Sequence, residues 1–194
     1  MWLAAPLPAL SQASNSTDYK LNLGLEYMYP TKDNRVIETV SIHAVYGWEW
    51  LEKTPLTIGV GITGTYAWGH IVQLDDNLND TRFDNSAWGV GPVFTIKYEP
   101  FVYHGFSVSP DFSGGIILYS ENFPSGGDVY NFMWRIGGSV NYHLPNGNTG
   151  ASISCKWMHV SNGQGLVPHN PSYEGLGVEL SVFWYLIKPS GENK

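Results

Sequence analysis

From Tyr19 onward the chain alternates apolar and polar residues with a period of two, and nothing else in it constrains the fold as strongly. In the first segment Tyr19, Leu21, Leu23, Leu25, Tyr27 and Tyr29 are interleaved with Lys20, Asn22, Gly24, Glu26 and Met28. Successive side chains of a β-strand point to opposite faces, so this spacing puts every large apolar group but Met28 on one face. A helix would scatter the same residues around its circumference. The pattern recurs over 40–50, 56–68, 88–98, 106–118, 130–142, 151–157 and 176–186. Polar turns intervene, the first being Pro30-Thr31-Lys32-Asp33-Asn34. The expectation is an all-β chain of eight strands.

Which face is inside decides the class. The polar set holds Lys20, Glu26, Glu49, Lys97, Asp111, Arg135, Lys156 and Glu179 among Gly, Ser and Thr, charges that can pair across a narrow interior. The abundant glycines suit small inward positions and strand curvature. The other set is apolar, with Tyr and Trp at strand ends, as in the aromatic girdles of an outer-membrane barrel. Closure leaves no unpaired backbone edge for hydrocarbon to meet. The sequence therefore predicts an eight-stranded antiparallel up-and-down transmembrane β-barrel rather than a soluble one of the lipocalin type.

Composition agrees. Only 14% of the 194 residues are charged, against roughly 25% in ordinary soluble domains. A formal net charge of −7 argues against nucleic acid, whose phosphates need clustered Lys and Arg. Cys155 is the single cysteine, so an internal disulfide and a cysteine-rich zinc site are excluded. No apolar run of about 20 residues offers a transmembrane helix. Residues 1–13 read as the remnant of a signal peptide ending in Ser11-Gln12-Ala13, 14–188 as one barrel domain, and 189–194 as a polar tail. Short connections at 51–55, 99–105 and 145–148 alternate with longer ones at 69–85, 121–128 and 162–172. Outer-membrane barrels keep short turns on the periplasmic side, which places both termini there and the longer loops outside.

One group of residues breaks the outward apolar pattern. The parity of Ile153, Cys155 and Trp157 continues to His159 and Ser161, a base beside a hydroxyl nucleophile on the face meant for lipid. Glu174 shares the parity of Leu176 and Val178 on the next strand, within reach of the other imidazole nitrogen, whereas Glu179 has the inward parity. Ionisable groups facing hydrocarbon are costly and usually functional.

His159-Val160-Ser161-Asn162, followed by Asn170-Pro171-Ser172-Tyr173-Glu174, resembles the outer-membrane lipid A 3-O-deacylases (PagL-like), whose pattern is H-x-S-N and then N-x-G-x-E. The likeness is specific over residues 157–180 and architectural elsewhere, and Ser172 stands where the pattern has Gly. It implies an esterase that removes the 3-O-linked acyl chain of lipid A, with Ser161 as nucleophile, His159 as general base and Glu174 orienting it. Asn162 and Asn170 match positions tied to oxyanion binding and site geometry, with backbone amides at Gly163 and Gly165 as further donors. The partners implied are lipid A or lipopolysaccharide as substrate and the surrounding outer-membrane lipids, with a homodimer left open. A structural or adhesive barrel, and a phospholipase or acyltransferase on the same scaffold, are the alternatives.

Other titratable groups carry blander expectations. His43 and His143 are inward hydrogen-bonding groups, His70 and His169 lie in loops, and His104 lies in a periplasmic turn. Asp75, Asp76, Asp80 and Asp84 form an acidic external loop. No metal or nucleotide motif is found, and no cofactor is expected.

Overall fold

The computed structural model describes residues 19–49, 54–74, 79–100, 102–145, 148–163 and 171–186. The leader, the polar tail, Asp75, Asp76, Gly165, His169 and Asn170 lie outside these ranges. Eight strands follow one another: β1 (Tyr19–Pro30), β2 (Arg35–Glu49), β3 (Leu56–Leu74), β4 (Asp80–Tyr98), β5 (Phe106–Phe123), β6 (Asp128–His143), β7 (Thr149–Ser161) and β8 (Tyr173–Leu186). Each pairs with the next, and β8 closes antiparallel onto β1 from Tyr19↔Leu186 to Pro30↔Gly175. The barrel has a near end, where β1 begins and β8 finishes, and a far end carrying the β1–β2, β3–β4, β5–β6 and β7–β8 connections.

The alternation sorts the side chains as the sequence predicts. Leu25, Ile42, Ile62, Trp88, Val108, Ile136, Ile153 and Leu180 are exposed on the outside, while Glu26, Ser41, His43, Thr63, Ser109, Arg135 and Asn141 are buried inside. Soluble proteins rarely expose contiguous apolar surface on this scale. The outer face is built for hydrocarbon.

Inside, two zones succeed each other. Toward the near end, Glu26 Oε1 lies 2.8 Å from Arg135 Nε, and Lys156 Nζ lies 2.6 Å from Glu179 Oε2 and 3.7 Å from Asp111 Oδ1. Lys97 Nζ donates to Asn141 Oδ1 at 2.7 Å. Pairing of this kind makes buried charge tolerable. Toward the far end the lumen is apolar, filled by Met28, Ile37, Ile117, Tyr119, Phe123, Met133, Met158, Val160 and Tyr173. This plug occupies the parity expected to be polar.

Two loop expectations are corrected. Residues 69–85 are mostly hairpin, because β3 and β4 stay paired out to Leu74↔Asp80. His70 and Asp84 are cross-strand partners there, and Asp80 opens β4. The connection expected at 121–128 shrinks to the turn 124–127, since β5 reaches Phe123 and β6 starts at Asp128. The reason is common to both. Beyond the hydrocarbon band the outward positions meet water, so apolar alternation stops while backbone pairing continues. His104 sits in the β4–β5 turn with φ +51°.

Candidate active site

The site is set by one cross-strand register. In the β7–β8 hairpin His159 faces Glu174, and Trp157 faces Leu176. The outward parity that exposes Ile153 and Leu176 carries His159 and Glu174 to the outer surface near the far end. His159 Nδ1 lies 3.3 Å from Glu174 Oε1, with 24% and 18% of the two side chains exposed. That half-shielded setting makes the pair more than a solvated surface contact. Ser161, two residues on along the same face, lies opposite Phe132 of β6. No hydrogen bond joins its hydroxyl to His159 among the described residues. The structure thus brings the carboxylate and imidazole together and places Ser161 two residues on along the same face, outside that contact. Catalytic hydrogen bonds are often open until substrate is bound.

Aromatic rings hold the imidazole from the β6 side. Trp134 pairs with His159 across the ladder, their rings 5.7 Å apart. Trp134 and Trp157 meet edge to face at 4.7 Å, and Trp157 lies 6.2 Å from the imidazole. Indoles suit the level where hydrocarbon gives way to headgroups.

Barrel closure adds two basic residues, Lys32 of the first polar turn and Arg35 at the start of β2, which strand parity alone does not mark. Lys32 Nζ lies 2.7 Å from Glu174 Oε1, the same oxygen that faces His159. Arg35 Nη1 donates to both the carbonyl and the hydroxyl of Ser172, each at 2.7 Å. The Thr31 amide donates to the Glu174 carbonyl at 3.2 Å. The β1–β8 pairing brings the first turn beside the start of β8, a signal that strand count alone could have supplied. The Ser172 hydroxyl, which a glycine would lack, is one of Arg35's two acceptors.

The expected oxyanion group divides. Asn162 has the inward parity and is fully buried, and its Nδ2 donates to the Tyr130 carbonyl at 2.6 Å and to Asn131 Oδ1 at 3.2 Å. Its side chain ties the end of β7 to β6, so it does not share the outer face with Ser161. Gly163, at φ +82°, turns the chain out of β7 through a conformation that a side chain would strain. Asn170 lies outside the described residues. Under the site Tyr119, Phe123 and Tyr173 pack as a floor, with the two tyrosine hydroxyls bonded to each other.

The lumen holds a second cluster. Glu26, His43 and Glu179 each present a ligand atom within 4.8 Å of the others. Arg135 on Glu26 and Lys156 on Glu179 already neutralise both carboxylates, so the cluster is an internal ion-pair network. His143 also faces inward and contacts Glu99 at 2.8 Å.

No family model matches the sequence, and no curated protein matches it. Among solved structures, the barrel is similar to the outer membrane enzyme PagL, with a TM-score of 0.58 at 15% identity over 82% of this chain and 97% of that one. It is less similar to the outer membrane protein AlkL, at 0.41 and 11% over 99% and 100% of the two chains. The β-domain of the Bordetella autotransporter BrkA gives 0.35 and 10% over 88% and 99%. The fold is that of an eight-stranded outer-membrane barrel.

Proposed function

We propose that this chain is an outer-membrane serine esterase that hydrolyses the 3-O-linked acyl chain of lipid A with Ser161, His159 and Glu174. The observation that carries the reading is the 3.3 Å contact between His159 and Glu174 on the outward face, beside Ser161. Ionisable residues on such a face are otherwise disfavoured.

In this reading His159 takes the Ser161 proton as the hydroxyl attacks the ester carbonyl. Glu174 accepts from Nδ1–H, fixes the tautomer that leaves Nε2 free as the base, and stabilises the imidazolium. The oxyanion is met by backbone amides around Gly163, since the Asn162 side chain is engaged inside; one well-aimed donor is worth about 3 kcal/mol. His159 then returns its proton to the sugar oxygen as the acyl C–O bond breaks, and the sugar leaves with a free hydroxyl. Water from the headgroup region hydrolyses the acyl-enzyme. A substrate that diffuses within the leaflet reaches this site without leaving the membrane.

The test uses purified protein reconstituted into vesicles containing lipid A, with released hydroxy fatty acid measured by mass spectrometry. Wild type is expected to release one acid per lipid A, and the Ser161→Ala protein none, both migrating as folded barrels. A wild-type protein without activity supports a structural or adhesive barrel. A lipid that gains an acyl chain, or cleavage of phospholipid alone, identifies a different reaction on the same scaffold.

A further inference from the structure

Along β7, from Ser161 toward the near end, the outward side chains are His159, Trp157, Cys155 and Ile153. Cys155 is paired across the β6–β7 ladder with Gly138. Gly138 lies on the outward parity between the exposed Ile136 and Val140, so the outer surface lacks one side chain there. The gap is a notch of about 280 Å³ bordered by Val108, Val140, Ile153, Cys155 and Val178.

Crowding does not require glycine at this position. A Cβ on Gly138 would meet only the Ser109 carbonyl, at 3.6 Å, whereas one on the adjacent Gly137 would strike the Cys155 carbonyl at 2.1 Å. Gly137 lets the strands approach; Gly138 leaves space. The outward side chains that wall the notch are aliphatic apart from the thiol; Ser139 and Ser154 also border it but are buried on the inward parity, and the backbone amides belong to the ladder, so the chemistry that fits is hydrocarbon. Between notch and site, Trp157 with its ladder partners Ile136 and Leu176 gives a continuous apolar track.

We infer that the Gly138 notch seats the distal end of the acyl chain whose ester lies at Ser161, so that the surface discriminates by chain length; this rests on the esterase reading above. Cys155 lies six residues from Ser161, about 20 Å of strand. An extended chain advances about 1.2 Å per bond, so roughly 16 bonds span the distance. Long chains reach the notch and short ones stop on the tryptophans. Because tail and notch exchange one hydrocarbon setting for another, the discrimination comes from shape.

Two measurements test this. In detergent micelles, a series of p-nitrophenyl esters from butyrate to palmitate reports the ratio of kcat/KM for long over short chains. Gly138→Phe, which fills the notch, is expected to lower that ratio at least about tenfold, as a lost fit in an apolar pocket does. An unchanged ratio overturns the inference. The second uses the wild-type chain, whose single cysteine sits in the notch. Hexadecyl fluorophosphonate bound to Ser161 is expected to slow alkylation of Cys155 by N-ethylmaleimide, and ethyl fluorophosphonate to leave it fast. Equal alkylation rates with both probes on Ser161 overturn the inference and leave the esterase intact. Failure of the hexadecyl probe to label Ser161 overturns the esterase reading itself, and the inference with it.

Discussion

At the scale of single residues, the site is a contrast between neighbours of opposite parity. His159 and Ser161 face outward, while Val160 and Asn162 face inward and are fully buried. Asn162 therefore serves the barrel's interior, holding the Tyr130 carbonyl and Asn131 with its amide. Asn162→Ala leaves those groups without their donor and is expected to destabilise the protein by about 1–3 kcal/mol. Urea unfolding of the purified protein, followed by the gel mobility of the folded barrel, measures this. A variant of unchanged stability with kcat reduced about a hundredfold would instead return the side chain to the oxyanion site.

At the scale of elements, what was legible in the sequence follows the solvent each strand meets. Within the hydrocarbon band the period of two fixed face and strand identity, so His159, Ser161 and Glu174 could be placed on one surface from parity alone. Glu179 was separated from Glu174 by the same rule, and it lies inside on Lys156. Outside the band the rule lapses, so the polar β3–β4 hairpin between Gly69 and Asn85 has the pattern of a loop although its strands stay paired. Parity gives no sign of Lys32 and Arg35, because their partners, Glu174 and Ser172, are distant in sequence and adjacent only after closure. The inner apolar plug is hidden in the sequence because Met28, Ile117 and Met158 each lie between large outward residues, Tyr27 and Tyr29, Ile116 and Leu118, and Trp157 and His159, which dominate the pattern.

The near-end turn after β4 has its own electrostatics. Burial pushes the Glu99 carboxyl up, but the hydrogen bond from His143, the Lys20 ammonium, the Ser107 hydroxyl and Lys97 together hold it down at about 2, against 4.5 for a free Glu. A carboxyl depressed on folding contributes stability that is full above about pH 5 and is lost as the pH falls toward 2. Urea midpoints of wild type and Glu99→Gln are expected to differ most near neutral pH and to converge in acid. A gap independent of pH would contradict this.

At the scale of the whole molecule, the barrel is an inverted globule. Its outside is apolar, and its near-end interior balances Glu26, Glu99, Asp111 and Glu179 against Lys20, Lys97, Arg135 and Lys156. The far half is filled by side chains, which gives the outer site a rigid backing. Arg135→Met leaves the buried Glu26 with His43 as its near partner and Lys156 farther off, and is expected to cost about 3–5 kcal/mol, with Arg135→Met/Glu26→Gln recovering much of it. Chemical unfolding of the two variants measures the difference. Equal losses would mean that the pair is not coupled.

In the proposed reaction the outward His159–Glu174 pair activates Ser161 against a lipid A ester from within the membrane. The most direct measurement is the mass of lipid A extracted from cells expressing wild-type or Ser161→Ala protein at matched levels of folded barrel. Lipid A is expected to lose one hydroxyacyl group with the wild type and none with the variant. Identical lipid A from both, whether intact or deacylated, would contradict it.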